Sequence, residues 1–142
     1  MSKDSLGIMV GEDDDMVQAA ARLLIIDDEP IIGKRLKQAF VKLGLEAASF
    51  TNPLDALRAL AERPFDLVIP DLRMEGLDGL ETLRRVRALN RRAKVIIITG
   101  YPDPETAQAA SREGAFAFLV KPFRLEELKA EVSRALAELN QT

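Results

Sequence analysis

The sequence predicts an α/β domain, a parallel β-sheet with helices on both faces. Three observations point there. Five short apolar runs, at residues 23–26, 45–50, 66–71, 94–99 and 115–120, alternate strictly with segments of helical periodicity. The first run, Leu23-Leu-Ile-Ile26, is continuously apolar, as a strand buried on both faces is. Every run except the second ends in a polar or charged residue, namely Asp27 and Asp28, Asp71, Thr99 and Lys121.

Taken in order, residues 1–21 read as a partly flexible N-terminal extension. Its acidic run Glu12-Asp13-Asp14-Asp15 is a solvated segment, with no scaffold to make it a cation site. After the first strand, Pro30 suits the first turn of a helix carrying Ile31, Ile32, Leu36, Ala39, Phe40 and Leu43 at helical spacing and stopping at Gly44. Following a less apolar second strand, Asn52-Pro53 caps a helix with Leu54, Leu57 and Leu60. The third strand, Asp66-Leu-Val-Ile-Pro-Asp71, delivers Asp71 to a loop containing two glycines. Asp78 and Glu81 then resemble a capping box for a helix through Leu83, Val86 and Leu89. The fourth strand stops at Gly100, and Asp103-Pro104-Glu105 begins an alanine-rich helix short of large apolar residues. The fifth strand runs into Lys121-Pro122-Phe123, and a last helix bears Leu125, Leu128, Val132, Leu136 and Leu139.

A chain of 142 residues suits one domain, and a chain of about this size buries roughly 68–70% of its unfolded surface. With 30% charged residues and a net charge of −3, nothing electrostatic favours nucleic acid, and no direct nucleic-acid binding is expected. The absence of cysteine excludes disulfides, thiol catalysis and cysteine zinc sites, and the absence of histidine excludes the commonest general base. No apolar run is long enough to span a bilayer and no signal peptide is evident, so no membrane association and a cytoplasmic location are expected.

The polar strand ends carry the chemistry. In an open α/β sheet, sites form at the carboxyl ends of strands. Asp71 there could serve as nucleophile, metal ligand or turn residue. Alone, Asp27 and Asp28 read as helix caps, Thr99 as a strand residue and Lys121 as a surface lysine. If they converge, three carboxylates share a pocket, and two charges about 4 Å apart repel by roughly 1 kcal/mol in water and about 4 kcal/mol at an effective dielectric near 20. A hard divalent cation such as Mg²⁺ relieves this, Lys121 adds positive charge, Thr99 a hydroxyl, and glycine at 100 leaves a backbone amide open to an anion. Together they describe a site that accepts a phosphoryl group.

Asp27-Asp28-Glu29, the Asp71 segment with Leu72-Arg73-Met74, Met74-Glu-Gly-Leu-Asp-Gly79, Thr99-Gly100 and Lys121-Pro122-Phe123 resemble, from Leu23 to Leu139, the receiver domains of two-component response regulators. The resemblance implies a flavodoxin-like (βα)5 three-layer sandwich with a parallel five-stranded sheet of order 2-1-3-4-5, a receiver domain over residues 22–140, and no output domain. It implies Asp71 as phosphoacceptor from a sensor histidine kinase. Mg²⁺ would be held by Asp27, Asp28, Asp71 and the backbone carbonyl of Arg73. Thr99, Lys121 and the backbone of Arg73 and Gly100 would contact the phosphoryl group, and Lys121-Pro122 would be cis. Thr99 and Phe118 are the switch pair, although Phe118 reads equally as core. The fourth helix, fifth strand and fifth helix would then meet a downstream effector or output domain, and the family allows a homodimer. The chain would assist its own phosphorylation and dephosphorylation without being a turnover enzyme.

Pro70 departs from the family pattern: it either marks the strand end or removes a ladder bond beside the acceptor. Its replacement by Leu or Ser is expected to tighten the strand end. Glu75 stands where proline is common, and Arg73 and Tyr101 occupy positions where the family varies acyl-phosphate lifetime. The alternative reading is a pseudo-receiver, a phosphorylation-independent interaction module. A phosphatase or phosphotransferase is disfavoured, since Asp71-Leu72-Arg73 holds no second acid to activate water.

Overall fold

The computed structural model describes residues 20–74 and 76–140. Most of the extension at 1–21, with its acidic run, and Glu75 lie outside the described residues. Strands β1 (Arg22–Ile26), β2 (Glu46–Phe50), β3 (Leu67–Pro70), β4 (Lys94–Thr99) and β5 (Ala117–Val120) alternate with helices α1 (Pro30–Lys42), α2 (Pro53–Glu62), α3 (Gly79–Leu89), α4 (Pro104–Arg112) and α5 (Leu125–Leu139). The strands form one parallel sheet in the order β2-β1-β3-β4-β5, as the resemblance implied. No helix among the described residues is long and apolar enough to cross a membrane.

Strand alternation builds two cores. Leu24, Ile26, Val68, Val95 and Ile97 face one way, onto Ala56 and Leu60 of α2, Leu83 and Val86 of α3 and Ala110 of α4. Leu23, Ile25, Leu67, Ile69, Ile96 and Ile98 face the other way, onto Leu36 and Phe40 of α1 and Leu128 and Val132 of α5. A parallel strand covered on both faces reads as a continuous apolar run for this reason. Helix ends depart from the expected faces: Ile31, Leu43, Leu54 and Leu89 are each about half exposed or more.

The caps are local and mostly as read. The side chain of Asn52 accepts from the amides of Leu54 and Asp55, and that of Asp103 from the amide of Glu105. At α3 only half of the expected box forms. Asp78 accepts from the amide of Glu81 at 2.9 Å, while the Glu81 carboxylate turns to Arg84 and Arg85. The reach-back of a carboxylate occurs at α5 instead, where Glu127 accepts from the amide of Arg124 at 2.8 Å.

Pro70 is the last residue of β3 and is buried. Pairing with β1 continues through Ile26↔Pro70, and the Asp71 amide donates to the Ile26 carbonyl at 2.8 Å. Pairing with β4 behaves differently: Leu67↔Lys94 and Val68↔Val95 are followed only by an isolated bridge, Asp71↔Ile98. Since the Leu72 amide reaches the Ile98 carbonyl at 2.7 Å, the residue two before it should supply the donor for the Ile96 carbonyl. Proline has none, so one ladder bond is missing beside Asp71.

Pro70→Leu should restore that bond. A backbone hydrogen bond contributes about 1 kcal/mol, against about 0.4–1 kcal/mol lost as the unfolded chain gains freedom without proline. A Tm between the parent's and about 3 °C above it, and a slowly exchanging amide at position 70, are expected. A fast-exchanging amide there would show that the ladder stays open for another reason.

Candidate functional site

The parallel order brings the carboxyl ends of β1, β3, β4 and β5 to one edge of the sheet, and their polar residues meet there. Asp27 is 4% exposed, Asp71 8% and Thr99 fully buried. Lys121 reaches between the two carboxylates, its Nζ 2.7 Å from Oδ2 of Asp71 and 3.2 Å from Oδ2 of Asp27. The opposite oxygens take backbone amides: Asp71 Oδ1 accepts from Arg73 at 3.0 Å, and Asp27 Oδ1 from Glu29 at 2.9 Å. Both carboxylates are thus fixed in orientation with lone pairs to spare.

Thr99 Oγ1 accepts from the Tyr101 amide at 3.0 Å and retains its own proton as a donor. Phe118 is half-buried against the core beneath α2, α3 and α4. The Lys121–Pro122 bond is cis. A Cβ on Gly100 would meet nothing nearer than Lys121 Cβ at 3.9 Å, so packing does not demand glycine there. Beside Asp28 and the loop that follows Asp71 opens a cleft of about 550 Å³ lined by residues including Asp28, Arg73, Tyr101, Asp103 and Thr106. The Arg73 guanidinium stacks 4.6 Å from the Tyr101 ring centroid.

The expected pocket of three carboxylates is corrected in one respect. Asp27 and Asp71 converge, whereas Asp28 is exposed along the cleft, and among the described residues no three acidic groups cluster to hold a metal. Two buried, oriented carboxylates with spare lone pairs form an all-oxygen donor set of the kind Mg²⁺ accepts when water fills the remaining positions. The donors therefore fit the ion.

Gly79 is a residue the motif contained without revealing its role. A Cβ on it would lie 2.7 Å from Leu72 Cα and 3.1 Å from the Asp71 carbonyl, and its amide donates to the Leu72 carbonyl at 2.8 Å. Glycine lets the start of α3 close on the loop that carries Asp71. The spacing of a loop ending in glycine before a helix is the only sequence signal, and it does not disclose so close an approach.

Burial pushes the Asp27 carboxyl up, with Asp71 adding to that, against the Glu29 amide and Lys121, which pull it down. Lys121 is lowered by burial but ends raised, because Asp71 and Asp27 both favour its charged form. The folded chain holds the Asp27 proton more tightly than the unfolded chain does. The contribution of Asp27 to stability therefore falls as pH rises from its ordinary value through the raised folded one. Asp27→Asn should melt above the parent near neutral pH in chelator, the gap closing as pH falls to the ordinary aspartate value. Thermal unfolding at both pH values checks this; a lower Tm at neutral pH would mean that attraction to Lys121 outweighs burial.

A sequence model of the response regulator receiver domain family matches residues 23–133. The regulatory protein AtoC of Escherichia coli (strain K12) is 41% identical over 118 residues, which cover 83% of this chain and 26% of that protein. The chain thus spans about a quarter of the length of that curated relative. The crystal structure of a response regulator receiver domain protein from Clostridium thermocellum matches with a TM-score of 0.80 at 32% identity, over 85% of this chain and 98% of that one. A response regulator protein from Burkholderia pseudomallei, solved with a phosphorylated aspartic acid, a calcium ion and citrate, matches with a TM-score of 0.74 at 26% identity, over 83% of this chain and 72% of that one. On the family match over residues 23–133, most of its length, the chain belongs to the response regulator receiver domain family.

Proposed function

We propose that this domain is a phosphorylation-dependent signalling switch that accepts a phosphoryl group on Asp71 from a sensor histidine kinase. The observation that carries this reading is the Lys121 ammonium held between the buried carboxylates of Asp71 and Asp27. A structural ion pair needs one carboxylate; two around one cation leave excess negative charge at a cleft. Asp27, Asp71 and the backbone carbonyl of Arg73 would hold Mg²⁺, with Asp28 acting mainly through water, and the ion would neutralise charge on the phosphoryl oxygens.

In this reading a carboxylate oxygen of Asp71 attacks phosphorus as the phosphorus–nitrogen bond of the donor phosphohistidine breaks. The departing imidazole takes a proton. Lys121 keeps its contact at the acceptor and neutralises a phosphoryl oxygen, while the Thr99 hydroxyl and the amides of Arg73 and Gly100 donate to the others. Movement of Thr99 toward the phosphate frees space that Phe118 occupies by turning inward. The surface of α4, β5 and α5 then changes its preference for a downstream effector, an output domain or a second copy. The domain assists its own phosphorylation and dephosphorylation without turning over an external substrate, and it works in the cytoplasm.

A pseudo-receiver remains the second reading because of one observation, the ladder bond missing at Pro70 beside the acceptor. Intact mass of the purified chain with Mg²⁺ and acetyl phosphate separates the two. One labile phosphoryl group, lost on adding chelator beforehand and absent from Asp71→Ala, is expected. No adduct, together with no binding of beryllofluoride, would assign the chain to phosphorylation-independent binding.

A further inference from the structure

We propose that switching shifts α4, and that the forked ion pair of Arg84 and Glu113 is a latch that pins the C-terminal end of α4 to α3 and opposes that shift. The inference rests on the switch reading above and names the contact that holds the resting arrangement.

Of the five helices, α4 is the one anchored least by apolar burial. Its buried residue is Ala110, and its other apolar residues are Pro104, Ala107 and Ala109. The other helices each bury at least one large side chain: Leu36 and Phe40, Leu60, Leu83 and Val86, and Leu128 and Val132. Stabilisation scales with the apolar area removed from water, so a helix of alanines is held weakly by its face. Polar ties then matter more.

The strongest of these lies just past the helix end. Arg84 of α3 donates from Nε to Glu113 Oε1 at 2.5 Å and from Nη2 to Oε2 at 2.9 Å, a two-pronged geometry. Glu81 holds the same guanidinium from behind, its Oε1 3.1 Å from Nη1. Arg84 pulls the Glu113 carboxyl below the ordinary glutamate range. One turn further along α3, Arg87 lies over Gly114, where a Cβ would come within 3.1 Å of its Nε. Gly114 has φ +97°, a left-handed turn that strains any side chain, and the Arg87 side chain packs against it. Isolated exposed ion pairs are usually weak, but a bidentate pair with its arginine fixed by a third group belongs to the stronger kind.

The other end of the same helix stands at the phosphoryl cleft. Asp103 and Thr106 line it, and Asp103 Oδ2 accepts from the Thr106 hydroxyl at 2.9 Å. A helix of nine residues is about 13 Å long and moves as a rod. A shift at the cleft is therefore resisted at Glu113, and releasing the fork lowers the cost of the shift.

The test uses the full chain with Glu113→Gln, Arg84→Met and the double variant. Each is measured by hydrogen exchange without ligand, by Tm, and by beryllofluoride affinity in Mg²⁺. A latch predicts faster exchange confined to α4 and residues 113–115, with beryllofluoride binding tighter by about three- to tenfold although Tm falls or holds. The double variant should go no further than either single one. Unchanged α4 exchange, additive effects, or affinity that falls along with Tm, as loss of a merely structural tie gives, would overturn it. If the parent binds no beryllofluoride, the switch reading fails by itself, and the exchange data and their additivity still decide whether the fork holds α4.

Discussion

The Lys121 ammonium between the carboxylates of Asp27 and Asp71 is the interaction on which the rest of the site depends. It joins side chains 94 and 50 residues apart, from the ends of β1, β3 and β5. Because β4 lies between β3 and β5, Lys121 must cross the end of β4 at Thr99 and Gly100 to reach Asp71. A long unbranched stem does that. The cost is electrostatic: two carboxylates taken out of water beside one another each disfavour the charged form of the other. A site with two carboxylates and one lysine keeps surplus negative charge even when complete, and that surplus suits it to a divalent cation and a transferring phosphoryl group.

Much of this could be read from the chain because strands buried on both faces leave an unmistakable trace. Leu23-Leu-Ile-Ile26 and Val95-Ile-Ile-Ile98 cannot be amphipathic, and the polar residues that follow them mark the edge where the site forms. The strand order came from the motif resemblance, since periodicity does not disclose which strands are neighbours. What the sequence concealed depends on geometry across elements. Asp27 and Asp28 look equivalent in the chain, yet one is buried on Lys121 and the other exposed along the cleft. Glu81, at a capping-box spacing, has two arginines on its own helix that compete for its carboxylate. The fork from Arg84 to Glu113 spans 29 residues and two helices, and no local pattern encodes it.

The two ends of the sheet are built to different purposes. At the amino ends of the strands the polar groups are closed on one another. Arg22 bonds Glu46 at 3.2 Å and the Pro64 carbonyl and stacks on Phe65, Asp66 accepts from the Arg22 amide at 2.7 Å, and Lys94 pairs with Glu138 at 2.8 Å. At the carboxyl ends three local rules are broken together: two carboxylates are buried side by side, proline interrupts a central ladder, and the adjoining helix lacks a large apolar anchor. Each of these lowers stability on its own. Their concentration around Asp71 and Thr99 is what a switch requires, because a region can change its packing at small energetic cost only where the resting packing is itself weakly favoured. In the proposed switch the closed end would keep the sheet in register while the open end rearranges, so the fold would separate the part that must persist from the part that must respond.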